Sequence, residues 1–211
     1  MNAVAVLAIL ACCLLAAAEN SLETGQDSSK TTTPEDLRRN FTAELKLNNG
    51  LAWGSWGPAE FCEDGSYVYA FEIKYEAYSS VDDTGVNGVK LYCRNEHEHD
   101  TGYVTSTIGQ YGYWQGMRIC SNGFITGMRG NVLEPQGLFG DDVAVENLEM
   151  RCNHSPEIHT GFSGIPTFPL GKWSAWSECP TDSRVCGLTL RYEDPVVADD
   201  AATTDMIMYC C

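Results

Sequence analysis

The sequence predicts an all-β fold in which three four-stranded sheets close around a pseudo-threefold axis into a triangular prism. Three observations carry this: landmarks that recur three times at nearly constant spacing, apolar residues that alternate with period two inside each copy, and copies too short to fold alone. Asp82-Asp83, Asp141-Asp142 and Asp199-Asp200 stand 59 and 58 residues apart, and Cys93, Cys152 and Cys210 each follow ten residues after the second Asp. Upstream lie Trp53-x-x-Trp56, Tyr111-x-x-Trp114 and Trp173-x-x-Trp176, with the related segments 70–76, 127–134 and 187–193 in between. A fixed period of this kind marks one supersecondary unit used repeatedly.

Each copy reads as strand. Ala70, Phe71, Ile73 and Tyr75 mix with Glu72, Lys74 and Glu76, and Val89, Leu91 and Cys93 alternate with Lys90 and Tyr92. Leu148, Met150 and Cys152 repeat that pattern in copy two, and Met206, Met208 and Cys210 in copy three. Asn48-Asn49-Gly50 between Leu45-Lys46-Leu47 and Leu51-Ala52-Trp53 is a hairpin signal. Every copy thus offers about four strands: one before the tryptophans, one through them, one ending in Glu and one ending in Cys. A unit of about 55 residues cannot bury both faces of its own sheet. Three such sheets must therefore share one core, with the tryptophans and alternating aliphatics as its filling. A three-bladed propeller is disfavoured because propellers use four or more blades.

The chain of 211 residues is 44% hydrophobic, too apolar for disorder. Thirteen Lys plus Arg against 29 Asp plus Glu give a net charge of −16, which excludes nucleic acid as the main partner and disfavours anionic membrane surfaces. Residues 4–17 are unbroken apolar and end in small residues, Ala16 to Ala18, before Glu19. That is the pattern of a cleaved signal peptide over 1–18, and the run is short for a membrane span, so no membrane insertion is expected. Residues 19–40 are polar and read as a flexible leader, and residues 41–211 as one domain with repeats at about 41–98, 99–157 and 158–211. Cleavage leaves Cys62, Cys93, Cys120, Cys152, Cys179, Cys186, Cys210 and Cys211, an even set suited to disulfides in an oxidising compartment. The sequons at Asn40 and Asn153 fit the same secreted, extracellular address, although Pro156 follows the second.

Repeat equivalence pairs Cys62 with Cys93 and Cys120 with Cys152. In copy three, Cys210 and Cys211 point to opposite sides of a strand and take separate partners from Cys179 and Cys186, in an order left open.

Trp-Gly-Ser-Trp-Gly, Phe-Glu-Ile-Lys-Tyr-Glu, Asp-Asp-Thr-Gly-Val-Asn-Gly-Val-Lys-Leu-Tyr-Cys and the terminal Tyr-Cys-Cys resemble the vitelline membrane outer layer protein I family from about Ala43 to Cys211. The resemblance implies a β-prism of three Greek-key sheets, secretion into an egg coat or other fluid, and partners among extracellular glycans or coat and matrix proteins. It also implies an alternative, a transferase or hydrolase acting on N-acetylglucosamine oligomers. This chain departs from the family in having Thr204-Asp205 where copy one has Asn87-Gly88, and in its strong acidity.

The three Asp-Asp pairs, like Glu76, Glu134 and Glu193, repeat symmetrically and are best read as turn devices. Glu60, Glu63, Asp64, Asp100, Glu146 and Glu149 break the symmetry and are the better acid–base candidates, although no catalytic residue is assigned. His97-Glu98-His99-Asp100 has metal-ligand residue types, yet in an extended segment only His97 and His99 share a face, so no metal site and no cofactor is expected. The three-residue spacing puts the two aromatics of each pair on opposite strand faces. Trp56, Trp114 and Trp176 are assigned to the core; Trp53, Tyr111 and Trp173 are the partly exposed set available for glycan contact, though core packing of all six is the preferred reading. The leading function is a secreted structural or binding protein rather than an enzyme.

Overall fold

The computed structural model describes residues 39–77, 84–134, 144–155, 158–164, 171–194 and 202–211. The signal-like run, residues 19–38 of the leader and all three Asp-Asp pairs lie outside them. The described chain alternates short edge strands with a long antiparallel pair, three times over. In the first round β1 (Ala43–Lys46), β2 (Ser55–Trp56) and β3 (Glu60–Phe61) precede β4 (Ser66–Glu76) and β5 (Gly85–Asn95). In the second, β6 (Asp100–Val104), β7 (Tyr113–Trp114) and β8 (Arg118–Ile119) precede β9 (Ile125–Val132) and β10 (Val145–Cys152). In the third, β11 (Ile158–Thr160), β12 (Lys172–Trp173) and β13 (Ser177–Glu178) precede β14 (Val185–Tyr192) and β15 (Thr203–Cys210). No helix among the described residues is long and apolar enough to cross a membrane.

These strands make three antiparallel sheets, each with four positions, the last filled by two short segments. Sheet one runs β6-β5-β4 and then β7 with β8; sheet two runs β11-β10-β9 and then β12 with β13; sheet three runs β1-β15-β14 and then β2 with β3. In sheets one and two, three consecutive strands are joined by a fourth that returns beside the first, which is the Greek key, and sheet three has the same strand layout with its flanking strands supplied from the start of the domain. The sequence repeat and the sheet do not coincide, contrary to the expectation of one sheet per copy. Each copy contributes its long pair to one sheet and its edge strands to the sheet before, so copy one completes copy three. The physical reason is that strand alternation fixes which side chains face inward but not which strand is the partner.

Two irregularities recur in every long pair. The register slips at Tyr69, Thr126 and Cys186, and again at Asn87, Glu146 and Thr204. Such bulges bend and re-aim a strand. The second set holds the segments that lead into the tryptophans. The Asn87 carbonyl accepts from Gly109 N–H at 2.6 Å, Glu146 Oε2 accepts from Gly171 N–H at 2.7 Å, and the Thr204 carbonyl accepts from Leu51 N–H at 2.9 Å.

The core lies where the inner faces meet. It is built from Phe71, Ile73, Val89 and Leu91 of sheet one, Met128, Leu148 and Met150 of sheet two, and Leu188, Leu190, Met206, Met208 and Leu45 of sheet three. Unbranched methionines suit the irregular space between three converging sheets. No tryptophan belongs to this core, which corrects the assignment of Trp56, Trp114 and Trp176 to it.

Cys62–Cys93, Cys120–Cys152 and Cys179–Cys210 are bonded, and Cys186–Cys211 closes the set. Because each repeat is split between two sheets, the first three bonds join neighbouring sheets: three to one, one to two, and two to three. Cys186–Cys211 ties β14 to the residue after β15 within sheet three.

Two outcomes are expected. Leu45→Ala in four-residue β1 should cost about 2–5 kcal/mol in urea unfolding, as for a core truncation, because Leu45 is only 1% exposed; a loss of a few tenths would show that β1 is dispensable. Replacing Cys120 and Cys152 together by Ala should likewise cost about 2–5 kcal/mol. Removal of the intra-sheet Cys186–Cys211 bond should cost less, and the reverse order would contradict stapling between sheets.

Candidate functional site

The register of the edge strands decides where the large aromatics point. Trp56 lies opposite Arg191, Trp114 opposite Lys74, and Trp173 opposite Asn131. Directly opposed residues share a sheet face, so Trp56 and Trp114 stand on the outer face with the charged partners. The structural equivalents are therefore Trp56, Trp114 and Trp173, not Trp53, Tyr111 and Trp173. Two signals in the sequence identify this set. Each of the three tryptophans is followed by a cysteine six residues on, Cys62, Cys120 or Cys179, and preceded two residues earlier by a glycine, Gly54, Gly112 or Gly171. The glycine is needed for close approach: an added Cβ would come within 2.5 Å of the Tyr192 carbonyl at Gly54, 2.4 Å of Tyr75 at Gly112 and 2.3 Å of Val132 at Gly171.

Each outer face places a cation over its indole. Arg191 stands 5.3 Å from the Trp56 ring centre, Lys90 4.2 Å from Trp114, and Arg129 4.9 Å from Trp173. Such pairs contribute about 0.5–1 kcal/mol at exposed sites. Sheet two carries the longest stack. Arg129 is also 5.0 Å from Trp176, and Arg151 covers Trp176 at 3.9 Å. Glu149 holds Arg129 at 2.6 Å, and Glu178 pairs with Arg151. On sheet one Glu72 accepts from the Tyr92 hydroxyl at 2.9 Å and from Gly116 N–H at 2.8 Å. Burial, then that hydrogen bond, pushes the Tyr92 phenol up to about 12. Trp56 is 41% exposed, Trp173 37% and Tyr111 36%, whereas Trp53, Trp114 and Trp176 are half-buried. These cations were not among the residues singled out by sequence, because their contacts run across strands.

At the border of sheets two and three a cleft of about 430 Å³ opens beside this stack. Arg151, Glu178, Asn153, Asp182, Ser183 and Arg184 line it, giving donors and acceptors of both signs. The Asn153 sequon is exposed here, its Oδ1 accepting from Phe124 N–H at 2.9 Å. Asn40 is exposed beside Cys211.

The asymmetric carboxylates are dispersed. Glu60, on sheet three, accepts from Thr105 N–H at 2.9 Å; Asp100, on sheet one, accepts from the Tyr69 hydroxyl at 2.9 Å; Glu149 of sheet two is held by Arg129. Asp64 is an exposed partner of Arg39 at 3.6 Å, and the Glu63 carbonyl accepts from the same arginine at 3.0 Å. Glu76 accepts from Thr84 and Glu134 from Lys172. The His97 to Asp100 segment enters a tight turn rather than an extended one: Asn95 Oδ1 accepts from the backbone N–H of both His97 and His99, and Glu98 has φ 63°. Cys120, Cys152 and His159 cluster closely, but both sulfurs are spent in a disulfide.

Glu146 and Asp205 both titrate above their usual range because burial disfavours their charge, while the hydrogen bonds from Gly171 and Met206 oppose the shift. Between the ordinary and the raised pKa, the folded chain holds more protons than the unfolded chain. These two groups therefore add stability as pH falls through that window and cost stability above it. Asp205→Asn keeps an acceptor for Met206 N–H and should raise Tm at neutral pH while flattening its pH dependence just above the ordinary carboxylate range. An unchanged Tm–pH slope would refute this.

Comparison with known proteins places these features in context. Residues 43–211 match the family model described as vitelline membrane outer layer protein I. The vitelline membrane outer layer protein 1 homolog of Homo sapiens is 31% identical over 187 residues, covering 86% of this chain and 89% of that protein. The homolog of Mus musculus is 31% identical over 176 residues, covering 81% and 84%. Among solved structures, the Calystegia sepium agglutinin aligns with a TM-score of 0.51 at 11% identity, covering 82% of this chain and 99% of the agglutinin. A mannose-binding lectin from Champedak aligns with a TM-score of 0.50 at 12% identity over the same shares. At such identity the likeness concerns the fold alone: a β-prism of three antiparallel sheets.

Proposed function

This chain belongs to the vitelline membrane outer layer protein I family, and from that premise we propose that it is a secreted structural or binding component of an extracellular coat or fluid, associating with glycans through its outer sheet faces. The apolar run at 4–17 serves as the export signal, and Asn40 and Asn153 are the N-glycosylation acceptors. The observation that carries the reading is the placement of Trp56 and Trp173 on different sheets, each partly exposed, each at an equivalent position and each under an arginine. An indole offers a rigid apolar face to the C–H face of a hexose, and the adjoining ionic groups supply hydrogen bonds at its edge. Faces that point apart cannot serve one ligand, so the contacts are multivalent, and weak single contacts add up to retention in a glycan-rich layer. Tyr111, 36% exposed just before β7 of sheet one, is a third aromatic available for such contact, and half-buried Trp53 is a lesser one. Coat or matrix proteins of basic charge are the other partners this acidic chain suits.

Hydrolysis or transfer on N-acetylglucosamine oligomers gains no support from the carboxylates, since Glu60, Asp100 and Glu149 stand on three different sheets and each has its own partner.

Titration with chito-oligosaccharides, followed by tryptophan fluorescence, tests the reading. Trp56→Ala and Trp173→Ala should each weaken binding roughly tenfold, about 1.4 kcal/mol, with little change in Tm. Binding by stacking should persist at high salt, whereas attachment to a basic protein should fade. Unaltered affinity in both variants would overturn the assignment.

A further inference from the structure

Trp53-Gly-Ser-Trp56 and Trp173-Ser-Ala-Trp176 share one spacing that the fold does not require, since only Trp56 and Trp173 occupy equivalent positions and Trp176 has no counterpart: the same place holds Ala59 in copy one and Met117 in copy two. A tryptophan three residues before another, in a chain entering the secretory lumen, presents the acceptor spacing for carbon-linked glycosylation of the first indole. We propose that Trp173 is such a site and carries a single mannose on its indole C2. The inference rests on the secretion part of the functional reading and not on glycan binding.

The chemistry balances without a redox partner. The indole nitrogen makes C2 nucleophilic, and C2 attacks C1 of the sugar in a polyprenyl-phosphate mannose donor. A C–C bond forms, and the C1–O bond to phosphate breaks with its electron pair leaving on the polyprenyl phosphate. The C2 proton is then lost and the ring regains aromaticity. The transfer acts on the chain before it folds, and the folded state must then have room for the product. Trp173 meets that condition. Its ring lies on an outer sheet face, 37% exposed, and no part of it belongs to the core. Substitution at an edge carbon leaves the ring faces free, so the contact with Arg129 at 4.9 Å is preserved, and the new hydroxyls lie on the polar side of the sheet with Arg129 and Glu149. Trp53 shares the spacing, but its ring is half-buried and its carbonyl is tied to Thr204, so the assignment is to Trp173.

Copy two supplies an internal control, because Tyr111 stands three residues before Trp114. The full chain is expressed in animal cells, the secreted protein is treated with peptide-N-glycosidase, and the peptides spanning Trp173 and Tyr111 are fragmented in a mass spectrometer. The same chain made in bacteria gives the unmodified standard. A hexose that survives the glycosidase and maps to Trp173 in most molecules is the expected result. Trp176→Ala should bring that occupancy to background, and Tyr111→Trp should add a hexose at position 111. The second variant keeps the test decisive if the first fails to fold. A secreted protein with bare Trp173 overturns the inference while leaving secretion intact. A chain retained in the cell with residues 1–18 still attached and Trp173 bare overturns both.

Discussion

The structure depends on one ladder, the pairing of Ala43–Lys46 with Ile207–Cys210. Each long strand pair has an inner apolar face but needs flanking strands, and for copies one and two these come from the copy that follows in the chain. They come from copy one in the case of copy three. Its sheet is completed only because the start of the domain returns to its end, with Thr42 N–H bonded to the Cys210 carbonyl at 2.7 Å. Without that return, β15 would present an unpaired edge and Leu45 would leave a gap in the core, both costly for a domain whose three sheets share one interior.

The same arrangement gives the disulfides their meaning. A bond that looks local in sequence, 31 or 32 residues long, holds together two sheets that share no backbone pairing among the described strands. The recurrent bulges at Asn87, Glu146 and Thr204 do a second job. By freeing one residue from the ladder, each lets a carbonyl or side chain grip the segment before a tryptophan, so the aromatic is delivered to the outer face at the same height on every sheet.

Much of this was legible in the sequence. The fold class, the threefold order and the Cys62–Cys93 and Cys120–Cys152 pairs follow from residues that keep fixed distances along the chain. The pairing of Cys179 with Cys210 was left open by the adjacency of Cys210 and Cys211, although its separation of 31 matches the 31 and 32 of the other two bonds. Which sheet each strand joins was not legible either, because β pairing is decided by distant surfaces. The tryptophan faces were misread for a local reason. Three-residue spacing alternates faces only along an uninterrupted strand, whereas β2 starts at Ser55 and β7 at Tyr113, after Gly54 and Gly112 at φ 78° and 71°, so Trp53 and Tyr111 precede the strands. Trp173 was aligned as the first of its pair when Gly171 and Cys179 mark it as the equivalent of Trp56. The arginines and lysine over the indoles left no trace in spacing at all, as they approach from neighbouring strands.

The joining of first and last strands also sets the order in which the domain can mature as it is synthesised. Translation delivers β1 to β3 first, yet their partners β14 and β15 are the last to leave the ribosome. Through nearly the whole of synthesis, Leu45, Leu47 and Phe61 must wait unpaired, and Cys62 is exposed to premature oxidation until Cys93 emerges. Long-range β pairing of this sort is intrinsically slow and prone to association between chains. The net negative charge, which keeps chains apart, matters to that waiting segment before it matters to the finished prism. The vulnerable moment of this protein is therefore not in its folded life but in the interval between its first strand and its last.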